Sequence, residues 1–383
     1  MGRYFCMGNT EVTLVINGRE YRYWQSVTIQ AQLTSYYRKF SVGFTREQLD
    51  GSLVVGIEPG AAVEVFIGDV KVLTGYVTGA RVSYTASGIA CSVSGASRTV
   101  DLAESYITSD NAKQFINRTV SDVLATVAAP YGIEVDYKAP RNPQTNIAVS
   151  PTDPIQKLLD GIVKKHSLVL TDNADGNLVV AVPGGGTAAS DALELGKNIL
   201  SCEQSVDLSK VFSRYEIYGQ RTNAASDKPV TSTSLKRFAV TDEMTRPRVY
   251  AEKLSGSPTP AALVRRAALL STYRWGRAHA ITYSVQGWRQ TNGGLWPVNG
   301  TVHVIDPIIG IDDDWLITEV TFSKDASGSK TQLKLMPPNA FVMMGETTDA
   351  EVAKKKSAAS ASTSTTSPYT KKGTTAEADW TKN

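Results

Sequence analysis

A run of alternating apolar residues broken by glycine-marked turns occurs twice in this chain. Residues 62–95 read AVEVFIGDVKVLTGYVTGARVSYTASGIACSVSG, and residues 300–337 read GTVHVIDPIIGIDDDWLITEVTFSKDASGSKTQLKLMP. Each copy opens on a short alternating run (Val63, Val65 and Ile67; Val302 and Val304). A longer run follows (Val77, Val82 and Tyr84; Ile317, Val320 and Phe322). Each then turns at Ala-Ser-Gly (Ala86 to Gly88; Ala326 to Gly328) and closes on a third run (Ile89, Cys91 and Val93; Leu333 and Leu335). A period of two places alternate side chains on opposite faces of a half-buried antiparallel strand. A pattern repeated about 240 residues apart points to two copies of one β-module.

The rest of the first ninety or so residues agrees with this. Glu11 to Ile16 alternates, Asn17-Gly18 is suited to the positive φ values of a type I′ turn, and Glu20 to Trp24 returns. Val27, Ile29, Ala31 and Leu33 alternate, as do Phe40, Val42 and Phe44. About six or seven short strands in residues 11–100 predict a barrel or sandwich, since an open sheet leaves adhesive edges.

The period changes after Leu102. Val120, Val123, Leu124 and Val127 share one helical face that Pro130 ends, and Gly132 turns the chain into a strand at Ile133 to Val135. Thr152-Asp153-Pro154 precedes a second helix with the stripe Ile155, Leu158, Leu159, Ile162 and Val163. Ser167 to Leu170 and Asn177 to Val182 then form a hairpin that ends at the punctuating Gly184-Gly185-Gly186. Strands resume from Ile199, most clearly over Val211 to Gln220, and Asn223 to Thr233 reads as an exposed loop. The longest helix runs from Pro260 to about Ala280 along Leu263, Ala267, Leu270 and Tyr273. The expected fold is therefore α+β, mainly β, with two similar antiparallel barrels. Residues 1–102 are the first barrel, 103–205 an α+β domain, 206–344 the second barrel with an inserted helix at 260–280, and 345–383 a Ser/Thr/Lys-rich tail. That tail has too little apolar surface to offset the entropy of ordering it.

Chemistry is sparse. The net charge of +3 argues for neither nucleic acid nor a membrane surface, and no run has the roughly 18 apolar residues of a membrane helix. Cys6, Cys91 and Cys202 lie too far apart for a disulfide framework or a zinc site. No signal-peptide pattern opens the sequence, so synthesis in a reducing cytoplasm is expected. His166 and His279 fall near helix ends, where an imidazole needs no catalytic role. His303 with Asp306 nearby offers half a dyad, but no oriented nucleophile accompanies it. Asp312-Asp313-Asp314 lacks the alternate spacing of a calcium loop, as does Asp172 to Gly176. The glycines at 184–186 lack the Lys-Ser/Thr of a phosphate loop. No catalytic, cofactor-binding or metal-ligating residue is assigned, no cofactor is expected, and the chain is read as a structural protein rather than an enzyme.

Several ordered segments carry a resemblance. GDVKVLTGYVTGARVSYTASGIACSVSGASRTVDL (Gly68 to Leu102), APYGIEV (Ala129 to Val135), DGNLVV (Asp175 to Val180) and YEIYGQ (Tyr215 to Gln220) are similar to successive blocks of the phage Mu-type baseplate hub family. GWRQTNGGLWPVNG (Gly287 to Gly300) resembles a further block, with Val298 inserted between Pro297 and Asn299. WLITEVTF (Trp315 to Phe322) and LKLMPPNAF (Leu333 to Phe341) complete the series, which spans residues 11–342. The resemblance implies a homotrimeric hub of a contractile tail in the virion, not an enzyme. Its implied partners are the tail spike, the tail tube or tape measure protein and other baseplate proteins. Two similar barrels per protomer would then offer a pseudo-sixfold face to the tube and a threefold one to the spike, with barrel edges pairing across protomers. Two other classes stay open on sequence grounds. One is a tail-associated cell-wall hydrolase. The other is a carbohydrate-binding β-protein using Trp24, Trp275, Trp288 or Trp296 as stacking platforms.

Overall fold

The computed structural model describes residues 11–22, 24–33, 35–45, 57–86, 88–108, 114–166, 168–221, 234–241, 246–254, 260–337 and 340. The tail at 345–383 and the loop at 223–233 lie outside these residues. The chain forms two compact units, one made of residues 1–203, 282–306 and 314–335, the other of 204–281, 307–313 and 336–383.

The first unit begins with seven strands: β1 (Val12–Ile16), β2 (Arg19–Tyr21), β3 (Ser26–Gln32), β4 (Lys39–Thr45), β5 (Ala62–Ile67), β6 (Val70–Thr85) and β7 (Gly88–Ser97). Asn17 and Gly18 turn β1 into β2 at φ values of 50° and 78°, the geometry that an Asn-Gly pair accepts with little strain. After the short helix α1 (Val100–Glu104) come β8 (Gln114–Thr119), α2 (Val120–Ala128), β9 (Val135–Tyr137), β10 (Gln144–Ala148), α3 (Ile155–His166), β11 (Val169–Asp172) and β12 (Leu178–Ala181). The Thr119 hydroxyl caps α2 by accepting from Asp122 N–H, and Gly132 at φ 64° reverses the chain after it. Val123, Leu124 and Val127 of α2 meet Ile155, Leu159 and Ile162 of α3 over β11 and β12 in one apolar core.

Beyond this α+β part, β13 (Leu193–Glu194) and β14 (Ile199–Gln204) return to the large sheet. They are joined there by β18 (Ile281–Gln286), β19 (Thr301–Asp306), β20 (Ile311–Asp325) and β21 (Gly328–Met336). Among the described residues the sheet has thirteen strands, with the path β14-β18-β21-β20-β3-β4-β7-β6-β5-β1-β2 and with β19 between β13 and β20.

Both copies of the repeat are thus three-stranded meanders, β5-β6-β7 and β19-β20-β21. Against the expected two barrels, no closed barrel forms among the described residues. The described strands of both copies join in one sheet, because the outer edge of β3 is taken by β20 over Gln32↔Glu319 to Val27↔Lys324.

The second unit corrects a further expectation. Strands β15 (Arg214–Arg221), β16 (Ser234–Thr241) and β17 (Val249–Leu254), expected in the second barrel, form their own three-stranded sheet. Helix α4 (Pro260–Ala278) packs on it, with Leu263, Ala267 and Leu270 against Tyr215 and Ile217. An amphipathic helix needs an apolar partner face, and the alternating Tyr215 and Ile217 supply one locally. Phe212 and Tyr250 extend the cluster, with the Arg274 guanidinium 4.0 Å above the Tyr250 ring.

Candidate assembly interface

The large sheet has two chemically distinct faces, and registered pairing carries each across strand boundaries. Ser323 lies opposite Thr28, Thr28 opposite Ser41, and Ser41 opposite Ser94, so one row of hydroxyls crosses β20, β3, β4 and β7. The next row, on the other face, is Phe322, Ile29, Phe40 and Gly95. Gly95 is side-chain-free for a steric reason: a Cβ there would lie 2.3 Å from Phe40 Cε1 and 2.3 Å from Tyr76 O. In the second copy Ser284 and Gln332 continue the polar face while Tyr283, Val285, Leu333 and Leu335 are buried on the apolar one.

The apolar face is covered by the α+β part, held through a few part-buried polar bonds. Arg38, just before β4, donates to Asp172 Oδ1 at 3.0 Å, to Asp172 O at 3.1 Å and to Val72 O at 2.7 Å, joining the start of β4 to β6 and β11. Burial pushes the Asp172 carboxyl above the ordinary range, against the pull of Arg38. Thr74 Oγ1 donates to Ala174 O at 2.8 Å, and the Tyr36 hydroxyl donates to Asp160. Burial raises the Tyr36 phenol as well. Near the second copy the fastening is neutral. Asn299 accepts from Gly184 N–H at 2.8 Å and donates to Val182 O at 3.0 Å, and its own carbonyl accepts from Gly186 N–H at 3.0 Å.

Two edges of this sheet carry apolar side chains that stand exposed among the described residues. Strand β5 pairs with the first half of β6, Val70 to Tyr76, and among the described strands the far half, Gly79 to Tyr84, pairs with β7. Val82 and Tyr84 in that half are 52% and 81% exposed. At one end of the path, β14 pairs with β18 among the described strands, and Leu200 is 50% exposed. An unpaired strand with apolar side chains is a template for another strand. Val82 and Tyr84 are visible in sequence as strand positions. Nothing local marks them as edge positions, nor marks Leu200 or the Arg38–Asp172 pair at all.

The residues weighed from sequence are scattered. His303 Nδ1 lies 2.9 Å from Asp314 Oδ1, not against Asp306, because 303 and 306 fall on opposite faces of β19. Buried Asp306 accepts instead from the Tyr283 hydroxyl at 3.1 Å. The phenol of Tyr283 is raised by burial, and so is the neighbouring Cys202 thiol. His279 stacks on Trp275 at 4.1 Å and places Nδ1 2.8 Å from Trp275 O. His166 ends α3. Asp312, Asp313 and Asp314 are all exposed along β20.

Asn173 Oδ1 accepts from Asp175 N–H and Asn177 N–H, so residues 172–176 form a side-chain-bonded turn rather than an ion cradle. The amides of Gly184 and Gly186 serve Asn299, as above. Trp24, Trp288 and Trp296 are buried, and the indoles of Trp24 and Trp288 donate to backbone carbonyls, so none of the three is a surface stacking platform. Among the described residues no group of three or more His, Cys, Asp or Glu converges as a metal set. No described helix is long and apolar enough to cross a membrane.

Comparison with known proteins bears on the same regions. Residues 11–97 match the family Mu phage baseplate assembly protein GpP-like, N-terminal. Residues 99–182 match Baseplate hub protein gp44-like, second domain, and 259–344 match Mu phage baseplate assembly protein GpP, fourth domain. The chain is 26% identical over 347 residues to baseplate hub protein gp44 of Escherichia phage Mu, covering 88% of this chain and 90% of that protein. The crystal structure of the 43 kDa tail protein of prophage MuSo2 from Shewanella oneidensis superposes with a TM-score of 0.75 at 28% identity. That match covers 86% of this chain and 99% of that one. A tail protein from Neisseria meningitidis MC58 shares the fold, with a TM-score of 0.73 at 22% identity over 88% of this chain and 98% of its own.

Proposed function

The chain belongs to the Mu-type phage baseplate hub family, with a structural role in the tail baseplate, and we propose that it is the homotrimeric central hub of a contractile tail. One observation carries the trimer. The path from β6 to β14 is a four-stranded unit written twice, β6-β7-β4-β3 and then β20-β21-β18-β14. In each unit a long meander strand leads, its hairpin partner follows, and two further strands complete it. Three chains head to tail would set six such units in a ring, sixfold in outline and threefold in fact. Such a ring suits a hexameric tube on one side and a trimeric spike on the other. It would also close the sheet into the barrel that a single chain leaves open, removing the edges.

In this ring the hydroxyl row of Ser323, Thr28, Ser41 and Ser94 faces the axis, since the α+β part occupies the opposite face. Uncharged hydroxyls give a passing chain no strong point of attachment. The partners are the spike, the tube or tape measure protein and other baseplate proteins, and the assembly resides in the tail of the virion. Light scattering of the purified full chain tests the trimer. The expected mass is that of three 41.3 kDa chains, alone or with the spike protein. A 41.3 kDa species at high concentration under both conditions overturns it.

A further inference from the structure

We propose that the first unit holds a binding site for a small uncharged molecule with an apolar body and one hydrogen-bond acceptor, in a cavity between the large sheet and β11–β12. Every residue that lines the cavity belongs to one chain, so the site does not depend on the trimer.

The cavity measures about 390 Å³, within the range of pockets that hold small organic ligands. Part of its lining is the seam that joins the two copies of the repeat. Ile29 lies opposite Phe322 and Ala31 opposite Val320, and all four residues border the cavity. Val179 and Ala181 of β12 border it too, as does Trp296 from the loop between β18 and β19. Period two sends alternate residues of a strand to one face, so this apolar lining follows from the alternation of β3 and β20.

Two features decide what such a cavity takes. The first is charge. Arg38, Lys71, Lys138 and Asp172 all line it, yet each is already paired. Arg38 meets Asp172 at 3.0 Å, Lys71 meets Asp175 at 2.5 Å, and Lys138 meets Asp136 at 2.9 Å. The side-chain amide of Asn299, also in the lining, is engaged at both ends. A charged ligand would bring its charge into a largely apolar space with no counter-ion left for it, which is costly. The second feature is Trp296. It is 5% exposed, and its buried Nε1–H meets no acceptor among the described residues. Buried indoles normally donate, as those of Trp24 and Trp288 do here. One acceptor oxygen on an apolar ligand would satisfy that donor while the rest of the ligand covers Ile29, Val320 and Phe322. Touching both the sheet and β12, the ligand would also stabilise the unit.

Camphor, camphene and camphorsulfonate test this, because they have bicyclic bodies of similar size and differ in the group at issue. The full chain is labelled with fluorotryptophan, and the Trp296 resonance is identified by its loss in Trp296→Phe. Camphor should shift that resonance and raise the thermal midpoint by about 2 °C at roughly tenfold excess over its dissociation constant. Camphene, which lacks the acceptor, should bind roughly tenfold more weakly, and camphorsulfonate should leave both readouts unchanged. In Trp296→Phe the preference for camphor over camphene should vanish. Ala31→Leu, which fills part of the cavity, should abolish the binding of both. Should Ala31→Leu fail to fold, the Trp296 resonance of the native chain decides alone. If camphor moves neither readout, or moves the midpoint equally in Ala31→Leu, the cavity is not a site and the inference falls. If camphene or camphorsulfonate binds as tightly as camphor, the ligand class is wrong.

Discussion

The far halves of β6 and β20 stand at equivalent places before the same Ala-Ser-Gly turn, and their surroundings differ. Phe322 is buried beside Ile29 of β3, while its counterpart Val82 is half exposed. Intrinsic strand preference cannot separate them, since both are alternating apolar strands with identical turns. What separates them is whether a third strand is present within the chain. The covers differ as well. A charged pair, Arg38 with Asp172, fastens the first copy, and the neutral amide of Asn299 serves the second.

The largest expected effect comes from that last contrast. Arg38→Ala leaves Asp172 buried without its cation and should cost about 4 kcal/mol of unfolding free energy at neutral pH, measured by urea denaturation. The sign of its pH dependence follows from the raised Asp172 carboxyl. A group held above its ordinary value favours the fold when protonated, so its contribution is complete below the unfolded value near pH 4 and lost as pH rises. The Arg38→Ala deficit should therefore shrink on acidification toward about pH 4. Asn299→Ala, about 2 kcal/mol, should show no such trend. Equal pH profiles for the two variants would show that the covers are fastened alike.

Next in size is the seam comparison. Phe322→Ala should cost about 3 kcal/mol of protomer stability, against about 0.5 kcal/mol or less for Val82→Ala measured in the same dissociated state. If the Val82 variant loses as much as the Phe322 variant, the two edges are equally covered within one chain.

A smaller effect is expected at Gly95, whose counterpart in the second copy is Leu335. The copies have diverged here because the Phe40 ring fills the space a side chain would take. Gly95→Ala should lower stability by about 2 kcal/mol through overpacking, seen as a lower thermal midpoint. A neutral outcome would mean that β4 and β7 are loosely packed at this position.

Much of the chain was legible from its pattern. Alternation, Asn17-Gly18, the stripe of α3 and the Ala-Ser-Gly turns act over a few residues, and each element formed where its pattern lies. The candidate chemistry was harder to place. His303 and Asp306 are close in sequence, but strand pleating sends them to opposite faces, so His303 meets Asp314 across the β19–β20 hairpin. The resemblance of collinear segments to a baseplate hub family was likewise available from residue order alone, and the family matches agree with it.

Residue order by itself therefore carried the repeat, the element types and the alternating faces. Tertiary structure alone decided that both copies share one sheet, that β15 to β17 leave it to pair with α4, and that the edges at Val82 and Leu200 stay open. The physical reason is range. Local periodicity determines which way a side chain points relative to its own strand. Whether a strand's outer hydrogen bonds are filled depends on β3 meeting β20 nearly three hundred residues away, which no short window of sequence encodes.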